Sequence, residues 1–309
     1  MGEMLYARDV YGKTLVELGQ KSSDVVVLDA DLSGSTRTRL FAQKFPERFL
    51  NFGVAEQNMM ATAAGLASCG KVVFASTFAM FAAGRAWDQV RNTICYGNLN
   101  VKIVASHAGI TVGPDGASHQ ALEDIAIMRV IPNMRVLVPC DGPQTRQAVL
   151  TAFQTPGPFY IRLGRAKVET IEQDREFVVG KGYILQEGKD VTIVACGIMV
   201  HQAMAAAKAL KEKNISACVI NMPSVKPMDV PLLVEQAKKT KGFVVCEEHS
   251  IVGGLASAVA EALSEECPAK ILKIGVKNRF GQSGEEADLL KEYQLLSSDI
   301  VAAVKALLV

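Results

Sequence analysis

The chain has 309 residues, 49% of them hydrophobic, and its 33 basic and 32 acidic side chains give a formal net charge of +1. This length is ample for two packed domains, and the balanced charge excludes a broad electrostatic surface for nucleic acid or an anionic membrane. The seven cysteines are odd in number and lack the close pairing that zinc or thioredoxin-type chemistry requires. We expect most of them to be reduced core residues.

Neither a targeting signal nor a membrane segment is predicted. The stretch MGEMLYARDV has no basic region followed by an apolar run, and Tyr6 stands where a myristoylation signal needs Ser or Thr. Apolar runs such as VTIVACGIMV are interrupted well before the roughly 20 residues needed to span a bilayer. We therefore expect a cytoplasmic protein.

Short β-branched runs alternate with amphipathic helical patterns from the start of the chain, which predicts an α/β fold with parallel sheets. The first-half runs that read as strands are DVVVLDA (24–30), KVVFAST (71–77), VKIVAS (101–106), RVLVPC (135–140) and PFYIRL (158–163). We expect helices between them.

A more polar segment, 164–190, holds four glycines and shows no sustained period, so it is interpreted as a linker region with a short hairpin. The domain boundaries that we predict are 1–170 for the first domain, 171–188 for the linker and 189–309 for a second, smaller βαβ domain. Its predicted strands are VTIVACG (191–197), SACVINM (216–222), GFVVCEE (242–248) and KILKIGV (270–276).

Polar residues follow several of these strands, and ligands of open α/β sheets bind beyond the carboxyl ends of strands. The run DADLSGSTRT carries Asp29 and Asp31 at the end of the first strand. It is read either as part of a site or as an exposed turn that caps the next helix. The loop HAGITVGPDGASHQALED holds His107 and His119, which are two of the four histidines in the chain. It also holds Asp115 and three glycines. Such a loop predicts a site, although structural histidines are an alternative.

Glu56 lies in NFGVAEQNMMATAAGLASCG, at the start of an otherwise apolar helix. One reading makes it an exposed or helix-capping acid stabilised by free backbone amides. The other buries it, where its neutral form is favoured and can share a proton with a basic ring nitrogen. Nearby Phe78 and Phe81 could stack on a flat heterocycle or simply fill the core.

The motifs LDADLSGST, NFGVAEQNMMATAAGLA, ASTFAMFAAGRAWDQVRN, HAGITVGPDGASHQALEDIAIMR and YIRLGR together resemble the pyrimidine-binding half of transketolase. The later motifs INMPSVKPMD, EEHSIVGGLASAVAE and RFGQSG resemble its C-terminal domain. The pyrophosphate-and-magnesium motif of thiamine diphosphate enzymes, GDG followed after about 25 residues by Asn, does not occur in the sequence. The chain therefore resembles the C-terminal subunit of a split transketolase.

The resemblance implies a set of roles. Glu56 would pair with N1′ of the aminopyrimidine, Asp31 would line that pocket, and Phe78 and Phe81 would form its stacking wall. FAAGRAWDQ departs from the family by one extra residue, with Gly84, relative to the animal-type pattern, and it lacks the third aromatic of the yeast-type pocket.

The sugar phosphate has its own residues in this resemblance. Arg8, Ser35 and Arg165 resemble the residues around the phosphate, for which a planar guanidinium is suited. His107, Asp115 and His119 resemble those that contact the hydroxyls and carbonyl of donor and acceptor. Arg8 could instead be a surface charge, and Arg165 could pair with an acid of the linker.

The implied reaction moves a two-carbon ketol unit from a ketose phosphate to an aldose phosphate in the pentose phosphate pathway. The implied cofactor is thiamine diphosphate, with Mg²⁺ or Ca²⁺ held mainly by a partner, the N-terminal pyrophosphate-binding subunit. We expect a dimer of this chain within a two-plus-two assembly, and no metal ligands in the chain itself.

Several other functions fit the sequence. A specialised split transketolase acting on apulose 4-phosphate or on a sulfonated ketose would look nearly the same. 1-Deoxyxylulose phosphate synthase and the beta subunit of the pyruvate dehydrogenase thiamine component share the two-domain arrangement, but Arg8 and Ser35 favour a sugar phosphate. A non-catalytic assembly subunit would be expected to lose Glu56 or to fill its pocket.

Overall fold

The computed structural model describes residues 2–171 and 176–309. Within them the chain forms two α/β units, each built on a mainly parallel sheet, so the predicted fold class is confirmed. The strands are β1 (Met4–Tyr6), β2 (Val25–Asp29), β3 (Phe49–Asn51), β4 (Val72–Phe78), β5 (Val101–Ala108), β6 (Arg135–Leu137), β7 (Phe159–Gly164), β8 (Lys167–Glu169), β9 (Tyr183–Gln186), β10 (Val191–Ala195), β11 (Ala217–Asn221), β12 (Ser224–Lys226), β13 (Phe243–Ser250) and β14 (Ile271–Val276). The α-helices are α1 (Ala7–Lys21), α2 (Ser33–Thr36), α3 (Arg39–Lys44), α4 (Glu56–Ser68), α5 (Asp124–Arg129), α6 (Gly142–Gln154), α7 (Met199–Lys211), α8 (Val230–Ala237), α9 (Leu255–Glu266), α10 (Glu286–Glu292) and α11 (Ser297–Leu308).

The first sheet has the strand order β12-β6-β7-β5-β4-β2-β3, and its strands are parallel except for β12 at one edge. All residues of β2 and β5 are buried, because helices cover both faces of a parallel sheet. This explains why these strands read as continuous apolar runs. Because β2, β4, β5 and β7 are parallel, their carboxyl ends lie at the same edge of the sheet.

The edge strand β12 comes from the second half of the chain. Ser224 pairs with Leu137 of β6, and the Val138 amide donates a hydrogen bond to the Pro223 carbonyl at 2.7 Å. The two units are therefore joined by backbone hydrogen bonds as well as by side chains.

The second sheet has the order β14-β13-β10-β11-β9, with only β9 antiparallel. Its central strands β10 and β11 are fully buried. Helices α7 and α9 lie between its strands, as expected for a βαβ domain. The four strands predicted for this half are all present with ends within two residues of the prediction.

The hairpin predicted within 164–190 is wrong for the described part of that segment, which excludes 172–175. Strand β8 pairs with β1, and β9 pairs with β11. Both strands satisfy their backbone groups with partners that are distant in sequence, which a local pattern does not reveal. The segment 171–188 that we predicted as a linker thus contains a strand of the second sheet.

Three short segments near the site depart from α-helical geometry. Residues Phe81–Arg85 and Gln89–Cys95 form π-helical turns, and Ile110–Asp115 is a 3₁₀ segment interrupted at Gly113 (φ +83°). π turns accommodate one additional residue per turn and often occur at functional sites. In the part of the chain that the structure describes, no helix combines the length and the apolar character needed to cross a bilayer.

Candidate active site

The residues singled out from the sequence gather at the carboxyl edge of the first sheet. Asp31 and Ser35 follow β2, Phe78 is the last residue of β4, His107 lies near the end of β5, and Arg165 follows β7 directly. This is where open α/β sheets bind ligands. The long connection after β5 adds His119 to the same edge.

Glu56 is the first residue of α4, and its side chain is only 1% exposed. It is therefore both a residue of the helix N-terminal turn and a buried carboxyl group. Arg85 binds it: Nη1 donates to Glu56 Oε1 at 3.0 Å and to Oε2 at 2.8 Å. The Arg85 guanidinium also lies over the Phe81 ring, 4.7 Å from its centroid. A buried carboxylate needs such a partner because burial of an unpaired charge is strongly unfavourable.

Phe78 and Phe81 form an aromatic wall beside this ion pair. Their ring centroids are 6.1 Å apart and their planes differ by 16°. His107 stacks on Phe78 with centroids 3.9 Å apart, and His119 meets Phe81 edge-on at 5.3 Å. The wall thus connects Glu56 to both histidines through a continuous set of contacts.

His107 is held in one tautomer. It is 3% exposed and adopts a left-handed backbone conformation (φ +55°), which is uncommon for a residue with a side chain. Arg8 Nη1 lies 3.3 Å from its Nε2, and because a guanidinium can only donate, Nε2 must accept. Nδ1 therefore carries the proton and donates to Ser106 Oγ at 3.0 Å. Burial and the neighbouring guanidinium of Arg8 lower the pKa of His107 to about 3, so the ring is neutral near pH 7.

Three arginines, Arg8, Arg165 and Arg37, lie near His107. Arg8 contacts the Ser35 carbonyl at 3.5 Å, and its Nε is buried with no hydrogen-bond partner among residues 2–171 and 176–309. Arg165 Nη1 donates to the Val112 carbonyl at 2.7 Å. Burial, Arg37 and Arg165 all contribute to lowering the pKa of Arg8. Such a group of closely placed positive charges with an unused donor is suited to an anion.

Two predicted acids lie further out. Asp31 is exposed, in a left-handed conformation (φ +62°), and its amide donates to Asn51 Oδ1 at 3.0 Å. Asp115 is also exposed. Near Asp31, the buried carboxylate is that of Asp29 at the end of β2. It accepts hydrogen bonds from the Leu32 amide at 2.6 Å and from two threonine hydroxyls. Asp29 therefore shapes the loop that presents Asp31 and Ser35.

Three residues at the site were missed by sequence reasoning. Arg85 could have been suspected because it directly follows Gly84 in the segment with one extra residue, which the structure accommodates as a π turn. Arg37 pairs with Asp9 at 2.5 Å and lies near enough to influence Arg8. Glu248 had no local signal, since it belongs to β13 in the other domain.

Glu248 ties the second domain to the histidine loop. Its Oε1 accepts from the Thr111 amide at 2.6 Å. A Cβ on Gly109 (φ +84°) would lie 2.3 Å from the Glu248 carboxyl carbon, so this close approach requires glycine. Gln120, next to His119, adds a second tie by donating to the Gln282 carbonyl at 2.9 Å. The C-terminal domain thus holds the segment between the two site histidines.

The contribution of buried Glu248 to the stability of the fold should fall with rising pH. Burial raises the pKa of Glu248 to about 7, although Arg162 and the Thr111 amide oppose the shift and Glu286 adds to it. A pKa that is raised on folding gives stability that is complete below the unfolded value and is lost as pH rises through the folded value. We expect the free energy of unfolding to fall by up to about 3 kcal/mol between pH 5 and pH 8 from this group.

Urea unfolding of the parent and of Glu248→Gln at both pH values measures this contribution, because glutamine does not titrate. The difference in stability between the two proteins should change with pH. Glu235→Gln, at an exposed residue that pairs with Lys239, is the matched control and should run parallel to the parent. A parallel pH dependence for Glu248→Gln would contradict the assignment.

The site has features that fit thiamine diphosphate. A buried carboxyl next to parallel aromatic rings suits an aminopyrimidine, whose edge needs a hydrogen-bonding acid and whose face needs a stacking surface. The donors around His107 suit an anionic sugar phosphate. Among the described residues, no group of three or more His, Cys, Asp or Glu side chains is arranged to hold a metal ion.

This geometry places a candidate active site at the carboxyl edge of the first sheet of an α/β protein. The sequence profile described as transketolase, pyrimidine binding domain, matches residues 3–170, and the transketolase C-terminal domain matches 180–300. The chain belongs to the transketolase family, and its function is that of a transketolase subunit. Membership of this family implies the use of thiamine diphosphate.

Three similar proteins match nearly the full length of the chain. A protein of Methanocaldococcus jannaschii described as a transketolase C-terminal section is 53% identical, over 96% of this chain and 94% of its own. The 6-deoxy-6-sulfo-D-fructose transketolase subunit SqwH of a Clostridium species is 42% identical, over 96% and 93%. A solved structure titled split gene transketolase, inactive beta4 tetramer, is 55% identical with a TM-score of 0.92 and covers 98% of both chains.

Proposed function

We propose that this chain supplies the pyrimidine-binding half of a transketolase site that transfers a two-carbon ketol unit from a ketose phosphate to an aldose phosphate. The observation that carries the proposal is the buried Glu56 carboxyl beside Phe81, next to a histidine surrounded by arginines. One edge of this cluster suits a cofactor ring, and the other suits a phosphorylated substrate.

On the cofactor side, Glu56 would bind N1′ of the aminopyrimidine, and Phe78 and Phe81 would stack against the ring. Asp31, on the loop shaped by Asp29, would line the rim of the same pocket. When bound, thiamine diphosphate supplies a carbon nucleophile that also acts as an electron sink. The part of this chain is to orient the ring and to hold a proton at its edge.

On the substrate side, Arg8, Ser35 and Arg165 would bind the sugar phosphate. The neutral His107 ring, whose tautomer is fixed by Arg8 and Ser106, would accept a hydrogen bond at Nε2 from a substrate hydroxyl. His119 is partly exposed and would exchange protons with the substrate hydroxyls, helped by Asp115.

The pyrophosphate and its Mg²⁺ or Ca²⁺ would be held by a partner, the N-terminal pyrophosphate-binding subunit. The sequence lacks the pyrophosphate-and-magnesium motif, and a similar structure is titled an inactive tetramer of beta subunits. We infer a two-plus-two assembly that contains a dimer of this chain and acts in the cytoplasm. We propose domains at 1–170 and 189–309 with 171–188 between them, and strand β9 within that segment extends the sheet of the second domain.

This proposal predicts that the purified chain is inactive with thiamine diphosphate and Mg²⁺. Coexpression with the adjacent reading frame supplies the pyrophosphate-binding subunit, and ketol transfer should appear when both polypeptides are present. Titration of one purified subunit with the other should saturate the activity at equal amounts. Coupled assays over a panel of phosphorylated and sulfonated ketoses measure the activity. Ketol transfer by the chain alone would refute the half-site proposal.

The same panel separates the two substrate classes that the site allows. A sulfonated donor is the second candidate because a sulfosugar transketolase subunit is 42% identical to this chain. Sulfonate and phosphate both bind guanidinium groups. The larger kcat/KM of the two donor classes decides between them.

A further inference from the structure

Arg85 makes two contacts that the proposed cofactor ring would also make. Its Nη1 binds both oxygens of the Glu56 carboxylate, at 3.0 and 2.8 Å. Its planar guanidinium lies over the Phe81 ring at 4.7 Å. The acid edge and the aromatic face are the two features assigned to the aminopyrimidine, and one side chain covers both.

A guanidinium resembles an aminopyrimidine in the properties that matter here. Both are flat, both carry N–H donors on an edge that can meet a carboxyl group, and both stack on aromatic rings. We propose that Arg85 occupies the aminopyrimidine position in the chain on its own and has to leave it before the cofactor can bind. This inference rests on the proposed function, because it takes Glu56 and Phe81 as the ring's binding groups.

The geometry of the Arg85–Glu56 ion pair favours its release. Both hydrogen bonds come from a single nitrogen, whereas the strongest arginine–carboxylate pairs use two parallel bonds from two nitrogens. The Arg85 side chain is 47% exposed, against 1% for Glu56, so it reaches the carboxylate from the solvent side. It lies at the end of the π turn Phe81–Arg85, which includes Gly84. Because this side chain is half exposed, the proposed release needs only a change of the Arg85 rotamer.

If Arg85 covers the site, the apparent dissociation constant for the ring equals the intrinsic one divided by the fraction of molecules in which the site is open. Removing the guanidinium should therefore tighten binding. A charge-assisted contact of this kind corresponds to roughly a tenfold or greater change in affinity. Arg85 would thus determine how much cofactor is needed to load the site.

The test uses the full-length chain and the free ring, 4-amino-5-hydroxymethyl-2-methylpyrimidine, as the probe. Its dissociation constant is measured by calorimetry or by ligand-observed NMR for the parent, Arg85→Met and Arg91→Met. We expect at least about tenfold tighter binding to Arg85→Met. Arg91→Met is the matched control, because Arg91 is exposed on the following π turn, and it should equal the parent.

A second variant keeps the test decisive if Arg85→Met does not fold. Arg85→Lys keeps a positive charge near Glu56 but loses the planar group over Phe81, and it should give a smaller gain in the same direction. Thermal unfolding followed by circular dichroism shows which variants are folded.

Glu56→Gln, made in the parent and in Arg85→Met, separates this inference from the proposed function. If Glu56→Gln weakens probe binding while parent and Arg85 variants bind equally, Arg85 does not occupy the site and the proposed function stands. If the probe binds no variant, or binds equally with and without Glu56, the assignment of Glu56 is itself wrong. Tighter binding to Arg85→Met that requires Glu56 supports both.

Discussion

Glu56→Gln should lower the turnover of the reconstituted complex by about 10²–10⁴-fold, the range typical for loss of a positioned acid or base. Glutamine has nearly the same shape as glutamate but cannot share an acid proton with a ring nitrogen. Because the side chain is 1% exposed, solvent cannot take over this task. Steady-state kinetics with saturating thiamine diphosphate and a ketose phosphate donor measure the loss, and Glu56→Ala should behave similarly.

Two comparisons make this result specific. Glu47→Gln changes an exposed acid that pairs with its neighbour Arg48, and it should keep parental turnover. Thermal unfolding of the Glu56 variants checks the fold, since their loss of the Arg85 ion pair has a structural effect of its own. Turnover near the parental value in a folded Glu56→Ala complex would disprove the N1′ role.

Arg165→Gln should raise KM for phosphorylated sugars by about 10- to 100-fold, because hydrogen bonds to a charged group contribute about 1.5–3 kcal/mol each. Arg165 is partly exposed; its Nη1 donates to the Val112 carbonyl, and Glu286 is near enough to interact with it electrostatically. A guanidinium has five N–H donors, so others can face an anion. Arg8→Gln should have a similar effect on KM. It should also change kcat, because Arg8 fixes the His107 tautomer.

An uncharged ketose such as erythrulose provides the internal reference for this prediction. Its KM should be unchanged in Arg165→Gln, and so should the affinity for thiamine diphosphate. Arg146→Gln is the control, at an exposed residue that pairs with Glu17 on another face. Equal KM values for the phosphorylated donor in Arg165→Gln and the parent would rule out a phosphate contact at this position.

Much of the fold could be predicted from the sequence because burial on both faces leaves a local signature. The five strands expected in the first half are present as β2, β4, β5, β6 and β7, all in one parallel sheet. The same rule placed polar residues at the carboxyl edge of that sheet, where the structure has them. Short edge strands such as β1, β8 and β12 have no such signature, because their pairing depends on distant residues.

A candidate site residue could be predicted only where a single short motif marks it as unusual for its surroundings. Glu56 and Phe78 could be found because an acid in an apolar helix and an aromatic residue at a strand end are visible locally. Arg85 and Glu248 could not be assigned, since one acts by meeting a side chain 29 positions away and the other by crossing between domains. The left-handed turn at His107 also depends on its packing against Phe78 and Arg8.

The placement of β12 has a consequence for how such a protein can be divided. Because β12 completes the first sheet, separate production of the first domain would expose the β6 edge, and an open edge invites pairing with other chains. Gene fission or engineered fragmentation at residues 171–176 would therefore yield an aggregation-prone piece. Keeping both domains on one polypeptide keeps the β6 edge paired.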